Sequence, residues 1–289
     1  MSIKRNNCTL EKYYTQTYIA ELCCDIFKKY ININPDKDII IEPSVGTGSF
    51  IKPLLKLTNN LTCYDIDKSL FNIKNQYQND LYTKYVKCND FLSINILPTN
   101  QNKIFVVGNP PFGRQSTLAI KFIQHMCSFC DAFGLILPKS FLKPTLYNKI
   151  NNYFHLVHST DISNNAFLFN NKDYNVPCIF AIYIKKDYKR DINEKLEPYM
   201  FNFTKQYKHH TINFRRVGVN AGTIDLSINS INKSPQSHYY INIDDSIWNT
   251  ALFEKLKNIK FTQRDLTVGP KSISKQELIF EFNEIIKNL

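Results

Sequence analysis

Ile39-Ile40-Ile41-Glu42-Pro43-Ser44-Val45-Gly46-Thr47-Gly48-Ser49-Phe50 is the stretch that decides the architecture. The run from Asp38 to Glu42 reads as a β-strand, the Gly-x-Gly turn as the loop at its carboxyl end, and about Ser49 to Leu57 as the next helix. In an open α/β sheet ligands bind at the carboxyl ends of the strands. Glycines there let the backbone approach a ligand with no Cβ in the way. A dinucleotide fingerprint needs a third glycine, and Ile51 stands in its place, which disfavours NAD.

Working outward, the same alternation repeats. Residues 17–30 read as a helix with Ile19, Leu22, Cys23, Ile26, Phe27 and Tyr30 on one face. Strands follow at Leu61–Asp65, Tyr85–Cys88, Ile104–Gly108, Phe133–Leu137, near Leu156 and at Cys178–Ile184; helices are expected from about Lys68, over Leu118–Cys130 and over about Thr145–Tyr153. Ile104–Gly108 is apolar throughout, as a buried central strand should be. The pattern predicts an α/β fold with a Rossmann-like, doubly wound, seven-stranded sheet in residues 1–189. From residue 190 to 289 the texture becomes loop-rich, with strand-like pieces (Thr211–Val219, His238–Ile243) and two helices. This region is expected to be a small α+β extension for substrate recognition or interaction. Its last helix opens with a Ser274-x-x-Glu277 capping box.

A chain of 289 residues, 43% of them apolar, can bury a full core. The 36 Lys and Arg against 25 Asp and Glu give a net charge of +11, which favours a polyanionic partner. Most of the excess lies within residues 1–189. Eight cysteines without disulfide-type spacing, and an N-terminus with no apolar signal core, predict an intracellular, reducing compartment. No apolar run approaches the roughly 18 residues of a transmembrane helix, so no membrane association is expected. Cys127-x-x-Cys130, preceded by His125, has no second pair to complete a zinc site. No metal is expected, and both thiols should pack as small apolar groups.

Three further strand ends carry chemistry. Tyr64-Asp65-Ile66-Asp67 puts a carboxylate where it can accept hydrogen bonds from both hydroxyls of a ribose, while Asp67 fits the cap of the next helix better. Asn89-Asp90-Phe91 pairs a carboxylate with an aromatic ring, suited to the amino group and face of an adenine. Val106-Val107-Gly108-Asn109-Pro110-Pro111-Phe112-Gly113 is the most specific. Pro110 and Pro111 stiffen the backbone and remove two N–H groups, so carbonyl oxygens and the Asn109 amide act as acceptors. Two acceptors drawing on the hydrogens of an exocyclic amine favour the sp3-like geometry needed for attack, and Phe112 offers a stacking face.

These motifs resemble the Asn/Asp-Pro-Pro-aromatic family of S-adenosylmethionine-dependent amino methyltransferases, in particular its N6-adenine group with the gamma-type motif order. Lys12-Tyr13-Tyr14-Thr15-Gln16-Thr17 is similar to the N-terminal motif of that group. The resemblance, over roughly residues 12–185, implies the methyltransferase sheet and S-adenosylmethionine as cofactor. It places Thr15, Glu42, Pro43, Gly46, Gly48, Asp65, Ile66, Asp90, Phe91 and Asn109 at cofactor-contacting positions, and Asn109, Pro110, Pro111 and Phe112 in the catalytic loop. Phe167-Leu168-Phe169, followed by Val176-Pro177-Cys178-Ile179, resembles the late hairpin whose aromatic sandwiches the target base. That residue is Phe167, Phe169 or Tyr174.

In the C-terminal region Phe214-Arg215-Arg216-Val217-Gly218-Val219-Asn220-Ala221-Gly222 joins two arginines to a glycine turn. It is expected to hold phosphates through guanidinium pairs and backbone N–H groups, or else to be a solvated basic turn. The motif order favours methylation of adenine in DNA. An RNA substrate is the second reading, suited to the small C-terminal region. Protein glutamine N5 methylation and a catalytically silent scaffold subunit come behind these.

Overall fold

The computed structural model describes residues 13–72, 80–98, 101–163, 165–169, 172–205, 211–226, 233–267 and 269–289. The runs read above as strands within residues 1–189 all enter one sheet. In chain order the first part holds β1 (Tyr14–Thr15), α1 (Thr17–Tyr30), β2 (Ile39–Glu42), α2 (Ile51–Leu55), β3 (Asn60–Asp65), α3 (Ser69–Asn72), α4 (Asp80–Tyr85), β4 (Val86–Cys88), β5 (Ile104–Gly108), α5 (Thr117–Met126), β6 (Ala132–Pro138) and α6 (Pro144–Tyr147). β7 (Phe154–Asp161), β8 (Phe167–Phe169), β9 (Lys172–Tyr174) and β10 (Cys178–Lys185) complete it. The seven-stranded sheet runs β4-β3-β2-β5-β6-β10-β7, parallel from β4 to β6, with β10 antiparallel to both β6 and β7. This is a doubly wound, Rossmann-like seven-stranded sheet. A separate three-stranded sheet, β1-β8-β9, joins the N-terminal strand to the late hairpin.

The chain divides into two compact units, Met1–Phe141 with Leu146–Ile192, and Leu142–Thr145 with Asn193–Leu289. The second has its own antiparallel sheet of β11 (Phe201–Thr204), β12 (Thr211–Arg215), β13 (Ile224–Asp225) and β14 (His238–Ile243), in the order β11-β14-β12-β13. Helices α7 (Thr250–Lys257) and α8 (Lys275–Lys287) follow, and Leu252, Leu256, Leu278 and Phe282 share a core with Phe201, Phe214 and Ile241. The capping box forms as the sequence specifies: Glu277 N–H donates to Ser274 Oγ (3.2 Å), and Ser274 N–H to Glu277 Oε2 (2.7 Å).

Two local expectations are corrected. The buried stripe of α1 is Ile19, Ala20, Cys23, Cys24 and Phe27, leaving Leu22 and Tyr30 exposed. Its anchor is Phe27, whose ring fills the space over Gly134 where a Cβ would come within 2.6 Å. That contact fixes the helix rotation. The helix expected over about Thr145–Tyr153 shrinks to Pro144–Tyr147. Arg190 draws the carbonyls of Tyr147 (2.8 Å) and Ile150 (2.9 Å) onto its guanidinium, and Asn151 Oδ1 turns the chain by accepting from Tyr153 N–H. Cys127 and Cys130 are buried, and burial pushes both thiols up, so neither offers a thiolate. No helix of the described residues is long and apolar enough to cross a membrane.

Candidate active site

Strand order reverses between β2 and β5, so the loops leaving their carboxyl ends diverge and open a crevice. A cavity of about 530 Å³ lies there. Pro43, Ser44 and Gly46 wall it after β2, Asp65, Ile66 and Asp67 after β3, and Asn89 to Leu92 after β4. Asn109 to Arg114 wall it after β5, with Tyr13 and Tyr14 from the N-terminal segment.

The β2 loop needs its glycines. Gly46 has φ +52° and Gly48 φ +88°, and the Tyr14 ring lies 3.0 Å from where a Gly46 Cβ would stand. Tyr82 steadies the turn by donating its hydroxyl to the Gly46 carbonyl at 3.0 Å. Gly46 N–H in turn donates to Asp65 Oδ2 (2.8 Å), and Asp67 N–H to Asp65 Oδ1 (2.9 Å). Burial pushes the Asp65 carboxyl up, and these backbone donors hold it partly back. Each oxygen keeps a further lone pair for a hydroxyl. Asp67 caps α3 by accepting from the Ser69 N–H and hydroxyl. Ile66, 53% exposed, makes an apolar ledge on the cavity wall. Asp90 caps the turn at Phe91–Ser93 through Leu92 N–H, and the buried Phe91 ring stacks on Phe122 at 5.4 Å.

Asn109 is clamped at both ends. Its carbonyl accepts from Ser44 Oγ (2.9 Å), and its side-chain Nδ2 faces Thr15 Oγ1 (3.1 Å) and the Tyr13 carbonyl (3.4 Å). A carbonyl only accepts, so the nitrogen must occupy that side of the carboxamide. Asn109 Oδ1 is then left buried without a hydrogen bond. Beyond it, Leu118 and Ala119 N–H both donate to the Phe112 carbonyl (3.1 and 3.2 Å), pinching off residues 113–116 as a small loop. Positive φ at Gly113, Gln115 and Ser116 marks the tightness of that loop, and Arg114 stands exposed on the cavity wall.

Glu42 sits behind this wall, 1% exposed, with neither carboxylate oxygen hydrogen-bonded. The N–H groups of Ser44 and Asn109 are near enough to favour its charge, yet neither completes a bond. Desolvation dominates and pushes the carboxyl well up. Its space exists because residue 108 is glycine: a Cβ there would fall on the Glu42 carboxylate.

Pro43, Gly46, Asp65, Ile66, Asp90, Phe91, Asn109, Pro110, Pro111 and Phe112 are thus brought to one cavity, whereas Thr15, Glu42 and Gly48 stand outside its lining. Phe167 is corrected as a base-stacking candidate. It is 1% exposed and packed in the core, so its ring has no free face. The side chains of Phe169 and Tyr174, like Lys12, lie outside the described residues. Arg215 and Arg216 belong to the second unit, and there the N–H groups of Arg215, Arg216, Gly218, Ala221 and Gly222 are all bonded to carbonyls within the unit. That turn therefore offers a phosphate no backbone cradle from these groups. Ser44 and Arg114 also line the cavity, and neither is marked as a site residue by the motifs above. The signal for Arg114 was its place two residues past Phe112.

No family model matches the chain. Two curated relatives, both called ribosomal RNA small subunit methyltransferase A, align with it. The protein of Wigglesworthia glossinidia brevipalpis is 29% identical over 164 residues, 49% of this chain and 60% of that one. The protein of Mycoplasmopsis synoviae is 30% identical over 115 residues, 39% of this chain and 42% of that one. The chain thus spans about half the length of the curated relatives it matches. Among solved structures, a dimethyladenosine transferase of Plasmodium falciparum superposes with a TM-score of 0.41 at 19% identity, over 60% of this chain and 64% of that one.

Proposed function

We propose that the chain transfers a methyl group from S-adenosylmethionine to the exocyclic N6 amine of adenine in RNA. The observation that carries this reading is the fixed Asn109 carboxamide, with its Oδ1 unbonded, in a cavity that also holds Asp65 and the glycine loop. The motif order alone favoured DNA. The ribosomal RNA names of the two relatives support RNA instead, and the net positive charge suits either polyanion.

The residues fit the cofactor. Gly46 lets the backbone approach, Asp65 keeps a lone pair on each oxygen for the ribose hydroxyls, and Ile66, Asp90 and Phe91 supply an apolar ledge and an acceptor for the adenine. When bound, it supplies a methyl group on a positively charged sulfur, reactive enough that no strong base is required.

Asn109 Oδ1 and the Pro110 carbonyl accept the two N6 hydrogens, drawing the nitrogen lone pair out of conjugation with the ring. Pro110 and Pro111 have no N–H to compete for those acceptors. After attack the extra proton on N6 stays hydrogen-bonded to these oxygens until water takes it. Phe112 stacks on the base, a contact of about 1–3 kcal/mol. The target adenine must leave its own stack to reach the site, and Arg114 on the cavity wall would meet a neighbouring phosphate. In the second unit, Arg215 and Arg216 would contact phosphates through their guanidinium groups alone.

Incubation with methyl-labelled cofactor and separate pools of RNA, single-stranded DNA and double-stranded DNA, followed by nucleoside analysis, tests this. Label in N6-methylated adenosine from the RNA pool is the expected result. Label confined to deoxynucleosides would return the substrate to DNA. Label in protein would favour the glutamine reading, and no cofactor binding by calorimetry the scaffold.

A further inference from the structure

β1 is two residues long, yet it ties together three parts of the first unit. Thr15 pairs with Phe167 of β8, its carbonyl accepts from Ser49 Oγ of the glycine loop (2.6 Å), and its side-chain Oγ1 accepts from Asn109 Nδ2 (3.1 Å). Thr15 is 7% exposed and is not among the residues lining the cavity. The resemblance implied a cofactor contact for it. In the structure its hydroxyl oxygen accepts from Asn109.

That engagement matters because the two ends of a carboxamide are nearly the same shape but opposite in hydrogen bonding. Turned by 180°, Asn109 would present two N–H donors where the N6 amine needs an acceptor. The Tyr13 carbonyl discriminates between the two orientations but stands at 3.4 Å, at the weak end of the range, while Thr15 supplies the bond of ordinary length. Resting on the methyl-transfer reading above, we propose that Thr15 is a positioning residue: its hydroxyl, which could bond either end of the carboxamide, anchors the Asn109 side chain in the orientation that the Tyr13 carbonyl selects, so that Oδ1 is the end left for the target amine.

Thr15→Val keeps the shape and the strand preference and removes the hydroxyl. It should lower kcat on RNA about tenfold, less than deletion of the acceptor itself, which costs about 10²–10³ in comparable sites. Affinity for S-adenosylhomocysteine, measured by calorimetry, should not change. Thr15→Ser, which restores the oxygen, should recover most of the rate. Wild-type kcat in Thr15→Val, a Thr15→Ser as slow as Thr15→Val, or weakened cofactor affinity at unchanged kcat would each overturn the proposal.

A second arm needs no turnover. The Asn109 side-chain NH2 resonances of the wild-type protein, assigned by their loss in Asn109→Asp, should exchange slowly with solvent. Fast exchange would refute the clamp. If the wild-type protein methylates no nucleic acid, the functional reading fails separately, and the exchange arm still decides whether the Asn109 amide is held, while faster exchange in Thr15→Val than in wild type decides whether Thr15 holds it.

Discussion

Among the described residues, Glu277 of the second unit and Glu42 of the first both have their carboxyl side chains buried, and the two are treated in opposite ways. Glu277 accepts from the Ser274 N–H that it caps and pairs with Lys143 at 3.2 Å, both side chains being less than a tenth exposed. Lys143 also donates to the Ser272 carbonyl. Glu42, more deeply buried still, has no hydrogen bond on either oxygen and lies beside an Asn109 whose Oδ1 has none. The first arrangement satisfies its polar groups internally and holds a fold. The second leaves them unsatisfied around a cavity, and an unpaired buried polar atom persists only where something other than stability retains it.

The largest effect should come from breaking the satisfied region. Lys143→Met leaves Glu277 as an uncompensated buried charge and should destabilise the second unit by about 3–5 kcal/mol, read by denaturant unfolding. The contrast between the two glutamates would be lost if that variant were as stable as wild type.

Next is the unsatisfied region itself. Asn109→Ala should lower kcat by about 10²–10³ while leaving cofactor affinity and melting temperature near wild type, because the amide is assigned to the target amine. Loss of cofactor affinity at unchanged kcat would instead place Asn109 with the cofactor.

A third test uses pH. The folded-state carboxyl of Glu42 is raised, so the stability it contributes is fully present below its unfolded value of about 4.5 and is lost as pH rises through the folded value. Glu42→Gln keeps the shape without the charge. Its stability relative to wild type should therefore rise with pH, by about 1.4 kcal/mol for each tenfold difference in proton affinity between the two states. Parallel thermal-denaturation curves for the two proteins from acid to alkaline pH would show that Glu42 is satisfied after all.

The smallest effect should be at the rim. Arg114→Ala removes one phosphate contact and should reduce the slope of log affinity for single-stranded RNA against log salt by about 0.7, leaving kcat at saturating RNA unchanged. An unchanged slope would take Arg114 out of the RNA path.

Much of the frame was legible because it is written in local patterns. α1 spans Thr17–Tyr30 and β5 spans Ile104–Gly108, both as the periodicity specifies, and the capping box of α8 forms from residues three apart. The glycine loop, Asp65 and the Asn109 loop come together because each follows a parallel strand, and the carboxyl ends of parallel strands share one edge of the sheet.

What the sequence by itself determined, then, is the order and type of the elements and the set of loops that meet at the cavity, since periodicity and turn chemistry act over a few residues. The tertiary structure alone decided which side chains touch within that set. The bond from Asn109 to Thr15 spans 94 positions, the space for Glu42 depends on Gly108 in a different strand, and Phe167 is buried by residues distant in the chain. The short stretch Leu142–Thr145 likewise groups with the second unit, against its place in the sequence. Such contacts depend on close packing between elements far apart in the chain, and neither hydrophobic period nor motif spacing records which neighbour a side chain meets.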